Sequence, residues 1–128
     1  MNAPWATEWL SRFSTTDPTG LMDMYADDAR FEDVTLEQKV DTKARLREFL
    51  ADFMDPAARQ NTFTFVTYSG DAHAGAVEWL WRAKHKQDFA GLPARGKETS
   101  VRGVSVLTFK NRKIATCHDY WDARTLMQ

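Results

Sequence analysis

The stretch Glu98–Asp122, ETSVRGVSVLTF followed by KNRK and IATCHDYWD, constrains the fold more than any other part of the chain. Two runs rich in β-branched and aromatic residues flank the polar joint Lys110-Asn111-Arg112-Lys113, a pattern that predicts an antiparallel hairpin. Asn111 is the residue best able to take a left-handed turn conformation. Successive strand side chains point to opposite sides. Alternation therefore puts Ala115, Cys117, Asp119 and Trp121 on one face of the second strand, and Thr116, His118 and Tyr120 on the other. On the first strand Gly103, Ser105, Leu107 and Phe109 share a face, opposite Arg102, Val104, Val106 and Thr108. Asp119 then sits among small and apolar neighbours near a strand end, an uncommon place for a carboxylate.

The rest of the chain supplies something for this hairpin to pair with and something to cover it. Residues 1–16 predict a short helix: Asn2 can cap it, Pro4 suits the first turn, and Trp5, Trp9 and Phe13 recur at a spacing of four. Asp17-Pro18 restarts a second helix with Leu21, Met22 and Tyr25 on its apolar side, running out at Asp27-Asp28. Ala29–Val34 reads as a short strand carrying Phe31 and Asp33 on one face, and residues 35–40 as a polar connection. Asp41 or Thr42 caps a third helix with the stripe Leu46, Phe49, Leu50 and Phe53, which Asp55-Pro56 ends. Beyond it Thr62–Tyr68 and Ala74–Lys86 predict two strands turned at Ser69-Gly70-Asp71, and the loop Ala90–Lys97 leads into the closing hairpin. Segregated helices and an antiparallel sheet make the class α+β. Three helices in the N-terminal half must bury their stripes on one face of a strongly curved sheet, which leaves an internal cavity.

At 128 residues the chain predicts one domain, 1–128, able to bury about 65–70% of its unfolded surface. A net charge of −1 predicts no broad attraction to nucleic acid or to an anionic membrane. Residues 1–20 lack the basic start and long apolar run of a secretory leader, and no stretch approaches the roughly 20 apolar residues of a membrane helix. A single cysteine excludes an internal disulfide and suits a reducing compartment, so a cytoplasmic protein is expected. No Cys or His spacing matches a metal site, and no Gly-rich loop follows a strand to open a helix. No cofactor is expected.

The segments MYADDARFEDV (24–34), GLPARGKE (91–98), GVSVLTF (103–109) and DYWD (119–122), with the terminal Leu126-Met127-Gln128, resemble the nuclear transport factor 2-like superfamily. The likeness is to its SnoaL-like polyketide cyclase branch, with ketosteroid isomerase and limonene epoxide hydrolase as cousins. It spans about the whole chain and implies a cone of curved sheet capped by helices around a deep apolar cavity, commonly as a homodimer through the outer sheet face. It places Asp33 where the isomerases have their base and Asp119 where the cyclases and epoxide hydrolases have a general acid/base. The isomerase's oxyanion tyrosine falls at Trp9 or Phe13, its protonated acid at Ser105, and the epoxide hydrolase's Arg-x-Asp pair at Trp79 and Trp81. At those positions the chain departs from both cousins, so neither steroid isomerisation nor limonene-oxide hydrolysis is implied.

Candidate site residues follow from residue type as well as from the resemblance. An apolar surround raises a carboxyl pKa toward working pH, so Asp119 is the expected acid/base and Asp33 the second carboxylate. Val77, Trp79 and Trp81 share a strand face and offer flat apolar walls to a ligand. Ser105, Trp9, Phe13 and Cys117 complete the expected lining. His85, four positions beyond Trp81 on the same face, is an expected loop-edge residue beside the ligand. His73 is expected on the surface, and His118 points away from Asp119. The function this predicts is cofactorless proton transfer, isomerisation or aldol-type closure, on an apolar carbonyl-bearing ring compound. The rival expectation is a binding or dimerisation module without catalysis, because the fold hosts many roles. Leu80, Val104, Val106, Thr108 and Tyr120 form the expected outer, dimer-forming face.

Overall fold

In the computed structural model, which describes residues 3–88 and 96–124, the chain opens with α1 (Ala3–Ser11) and a 3₁₀ turn (Arg12–Ser14). The spacing of four does what it predicts: Trp9 stacks on Trp5 with ring centroids 5.7 Å apart and meets Phe13 edge-on at 5.5 Å. Trp9 and Leu10 are buried. Burying one tryptophan removes roughly 150–250 Å² from water, or about 4–6 kcal/mol at about 25 cal/mol per Å² before entropy is subtracted. The expected cap, Asn2, lies outside the described residues, as do residues 89–95 of the expected loop and the terminal residues 125–128.

The second helix is shorter than its sequence pattern predicts. Asp17 accepts hydrogen bonds from the Thr19 backbone N–H (2.9 Å) and hydroxyl (2.8 Å), starting α2, which covers only Thr19–Met22. The chain then turns and enters β1 (Tyr25–Asp33) four residues earlier than expected. Helix nucleation is costly and a single turn carries little cooperativity, so burial of Tyr25 and Ala26 against the sheet decides the conformation. Part of the expected polar connection is also a strand, β2 (Gln38–Val40), which pairs antiparallel with β1 and buries Val40. Thr42 caps α3 (Lys43–Met54): its hydroxyl accepts the Arg45 N–H at 3.2 Å, and Leu46, Leu50, Phe53 and Met54 are buried.

From there β3 (Arg59–Gly70), β4 (Ala74–His85), β5 (Glu98–Lys110) and β6 (Lys113–Trp121) form a meander, and the sheet order is β2-β1-β6-β5-β4-β3. One pair departs from the expected all-antiparallel sheet: β1 runs parallel to β6. No turn joins these two strands. A parallel pair needs a long crossover, and α3 with β3–β5 provides it. The pairing sets Asp33 directly beside Asp119. The β5–β6 hairpin closes through Asn111 (φ 52°) and Arg112 (φ 66°). Both central residues are left-handed, the geometry that matches strand twist. Asn111 does so as predicted; Arg112 does so at roughly 1–2 kcal/mol of local cost.

Three register shifts set which side chains point inward, one of them in β1 against β6 between Tyr25 and Arg30. Thr108 pairs with Thr116 but Phe109 pairs with Ile114, so Ala115 is extra and both Ile114 and Cys117 face the core. Strict alternation would oppose them. A second bulge at Val66 in β3 turns that residue out to solvent. The helices lie across the concave face. The convex face carries Leu80 and Val104 half-buried and Val106, Thr108 and Tyr120 exposed.

Candidate active site

A cavity of about 50 Å³ lies between the helices and the concave face of the sheet. Trp9, Leu10, Phe13, Phe49, Leu50 and Phe53 come from the helical side, and Phe63, Trp79, Trp81 and Trp121 from the sheet. Its polar surface comes from Tyr25, Asp33, Ser105, Cys117 and Asp119. A buried water takes at least about 10–15 Å³ on this scale, so the resting cavity holds a few waters or a very small organic molecule. Pockets for drug-sized ligands run to roughly 300–1,000 Å³; a larger ligand has to displace aromatic side chains.

Asp119 is enclosed by protein yet keeps accessible surface, which it turns to the cavity. The Ser105 hydroxyl donates to its Oδ1 at 2.6 Å and the Cys117 thiol donates to the same oxygen at 3.2 Å. Oδ2 has no hydrogen bond among the described residues. Burial pushes the Asp119 pKa up to about 7; the Ser105 bond opposes this, and the nearby Asp33 charge adds to it. Asp33 exposes less of its own surface and is better supplied with donors. Both its oxygens accept the Trp121 indole N–H (3.1 and 3.0 Å), and Oδ1 also accepts the Leu36 backbone N–H at 3.0 Å. Burial raises its pKa, while Trp121 and the Leu36 and Thr35 amides hold it down. Two carboxyl groups on paired strands therefore differ in how readily each ionises, the arrangement that separates acid from base.

The sheet aims Asp119 through a relay that begins on β4. The Trp79 indole donates to Ser105 Oγ at 2.9 Å, and Ser105 uses its own proton on Asp119. Gly103 makes this possible. A Cβ there would stand 2.3 Å from the Trp79 ring, so only glycine lets the indole lie across β5 to reach Ser105. Trp81 is anchored separately: its indole donates to Asn61 Oδ1 at 2.8 Å, and Asn61 Nδ2 donates to the Phe53 carbonyl at 2.9 Å. The buried Cys117 thiol is pushed up well above its ordinary pKa by burial first and then by Asp119, so it stays protonated as a donor.

Nearly all the expected site residues meet at this cavity: Asp119, Asp33, Trp79, Trp81, Ser105, Trp9, Phe13 and Cys117. His85 is the exception. It is buried, not a solvated loop edge, and lies outside the lining. The alternation that brings Trp79 and Trp81 inward carries His85 inward as well, where its Nε2 meets the Thr99 hydroxyl at 3.0 Å and its ring meets the edge of Trp81 at 5.7 Å. Burial, with Arg59 and Lys97 nearby, lowers its pKa. His118 faces outward, as alternation predicts, within 3.8 Å of Glu32.

Two polar lining residues lie outside the expected set. Trp121 shares the Asp119 face by alternation, but its bond to Asp33 depends on the parallel β1–β6 pairing, which no turn signals. Tyr25 reads as a helix residue because Ala26-Asp27-Asp28 looks like a helix end. Among the described residues no three His, Cys, Asp or Glu side chains group as a metal site would need, and no helix is long and apolar enough to cross a membrane.

A curved sheet, helices on its concave side and an acidic apolar cavity define the nuclear transport factor 2-like class. Residues 6–117 match the SnoaL-like domain family, and the chain belongs to that family. No curated protein matches the chain. Among solved structures it is similar to a protein of ketosteroid isomerase-like fold from Catenulispora acidiphila in complex with trimethylamine. That likeness has TM-score 0.80 and 16% identity, covering 98% of this chain and 91% of the other. It is similar too to a candidate polyketide cyclase from Pseudomonas putida (TM-score 0.81, 18% identity, 99% and 96% covered). A candidate hydroxylase from Streptomyces galilaeus gives TM-score 0.77 and 17% identity, with 97% and 76% covered. At such identities the likeness is one of fold.

Proposed function

We propose that the chain is a small acid/base enzyme of the cyclase or isomerase type. It moves a proton next to the carbonyl of a small, mostly apolar ring compound, with Asp119 as general base and acid. The observation that carries this reading is Asp119 itself: a carboxyl group in an apolar cavity, bonded among the described residues through one oxygen only, with a pKa of about 7. A group with that pKa takes and returns protons near neutral pH with little loss in either direction. Asp119 Oδ2 removes the α-proton, the C–H electrons form a C=C bond, and the carbonyl π electrons move to oxygen. The proton then returns to a different carbon in an isomerisation. In a closure the enolate carbon attacks a second carbonyl and the proton goes to the new alkoxide.

Burial keeps the Asp119 proton affinity high, and Asp33, whose carboxylate accepts the Trp121 and Leu36 N–H groups, adds to it through its charge. Trp79 and Ser105 orient the Asp119 carboxyl; Trp81, Trp9 and Phe13 form the walls. Family membership supports the class of chemistry, and the cavity volume of about 50 Å³ supports a small substrate. The test is deuterium exchange at the α-carbons of cyclopentanone in D₂O, followed by proton NMR. Wild type accelerates exchange, its rate rising with pH to a plateau above about 7 as the carboxylate form fills. Asp119→Asn lowers the rate by about 10²–10⁴-fold. Equal rates for the two proteins contradict the reading.

The same proposal includes a homodimer through the convex face, where Val106 and Tyr120 are 41% and 45% exposed beside Leu80 and Val104. Apolar side chains grouped on one sheet face suit a two-fold contact. Sedimentation at micromolar protein gives twice 14.7 kDa if this is so, and a species of that single mass rejects it.

A further inference from the structure

An enolate forming in this cavity needs a donor at its oxygen, and such donors supply much of the stabilisation in reactions of this kind. Neither Trp9 nor Phe13, at the position where the related isomerases carry a tyrosine, has a hydroxyl. Serine 105 spends its proton on Asp119, the Trp79 indole spends its own on Ser105, and the Trp81 and Trp121 indoles are committed to Asn61 and Asp33. With Asp119 in its ionised, base form, one polar hydrogen among the described lining residues is left over.

It belongs to Tyr25. This side chain is 2% exposed, stands at the start of β1 and lines the cavity together with Asp119. Its hydroxyl oxygen accepts the Trp9 indole N–H at 3.2 Å. Because that neighbour is itself a donor, the phenolic proton cannot point toward it. No acceptor for the proton exists among the described residues, which is uncommon for a buried hydroxyl. Burial holds the phenol protonated, and Cys117 and Asp119 add to that effect. Trp9 thus occupies the oxygen's lone-pair side and polarises the O–H bond, as successive bonds in a chain do.

We infer that Tyr25 is a second catalytic residue, whose hydroxyl donates a hydrogen bond to the substrate's carbonyl oxygen as that oxygen gains charge. Trp9 is its positioning residue. This rests on the proton-transfer reading of Asp119 and adds the electrophilic half of the same reaction. In the balanced step Asp119 Oδ2 takes the α-proton, the electron pair ends on the carbonyl oxygen, and the Tyr25 proton stays on its own oxygen while bonding to the new enolate. No further reactant is required. Trp9, on α1, supports the Tyr25 hydroxyl from behind.

The experiment has two arms on wild type, Tyr25→Phe and Trp9→Phe. The first is cyclopentanone exchange, where Tyr25→Phe should lower the rate by about 10–100-fold, the amount one hydrogen bond to a charged oxygen supplies. Trp9→Phe keeps the aromatic wall and should give a smaller loss in the same direction. The second arm needs no catalysis: binding of 4-nitrophenol at pH 6, read by its visible absorbance, with the phenolate standing in for an enolate. Tyr25→Phe should bind it about 10–100-fold more weakly than wild type, with thermal unfolding of each variant as the control for folding. If Tyr25→Phe matches wild type in both arms while Asp119→Asn loses exchange, the role of Tyr25 is overturned and that of Asp119 stands. If no protein catalyses exchange but the phenolate affinity still depends on Tyr25, the donor stands and the proton-transfer reading fails.

Discussion

Asp33 and Asp119 are paired across neighbouring strands and line one cavity, yet their surroundings make them different acids. Asp33 exposes less of its own surface, Asp119 is enclosed by more protein, and burial raises the pKa of both. At Asp33 two N–H groups, the Trp121 indole shared by both oxygens and the Leu36 amide on Oδ1, oppose that rise. Burial pushes the Asp119 pKa up to about 7 and the Asp33 charge adds to this, while its O–H and S–H donors, both on a single oxygen, only partly oppose it. Burial raises both carboxyls, and donor supply, richer at Asp33, separates them.

The largest effect that sharpens this contrast is the loss of exchange in Asp119→Asn, about 10²–10⁴-fold. The next is in stability. The folded pKa of Asp119 stands at about 7 against an unfolded value near 3.8, so between those values the folded state holds a proton that the unfolded chain releases. This contribution to stability is complete below about pH 4 and is lost as pH rises through about 7, an effect on the order of a few kcal/mol. Asp33, also raised, works in the same direction. Wild type should therefore lose on the order of 10 °C of melting temperature relative to Asp119→Asn between pH 4 and 8. Parallel curves for the two proteins would break the contrast.

A smaller effect tests the other side of the pair. Trp121→Phe removes the indole N–H from both Asp33 oxygens and should cost about 1–3 kcal/mol in chemical denaturation. The Asp33 pKa should rise, and with less negative charge beside it the Asp119 pKa should fall toward that of Asp33. If Asp119 titrates unchanged in this variant, the two carboxyls do not communicate.

Local pattern carried much of this architecture. Alternation along 98–122 placed Ser105, Cys117 and Asp119 on one face, and the spacing of Trp5, Trp9 and Phe13 placed the helix that covers them. Three features were not legible, each for a physical reason. The parallel β1–β6 pair has no turn to announce it, so the contact between Trp121 and Asp33 was hidden. The bulge at Ala115 changes the inward phase between Ile114 and Cys117 without any residue that demands it. Tyr25 was lost because a run of two aspartates looks like the end of a helix when tertiary pairing is out of view. His85 shows the opposite error: its alternation with Trp81 was read correctly, but proximity to a Gly-rich loop suggested solvent where the sheet supplies Thr99.

The most direct test is a carboxyl carbon-13 NMR titration of the wild-type protein, with Asp119→Asn used to assign the resonance. The expected midpoint for Asp119 is at about 7, with Asp33 ionising at lower pH. An Asp119 midpoint at the ordinary aspartate value of about 3.9, or Asp33 ionising after Asp119, would contradict it.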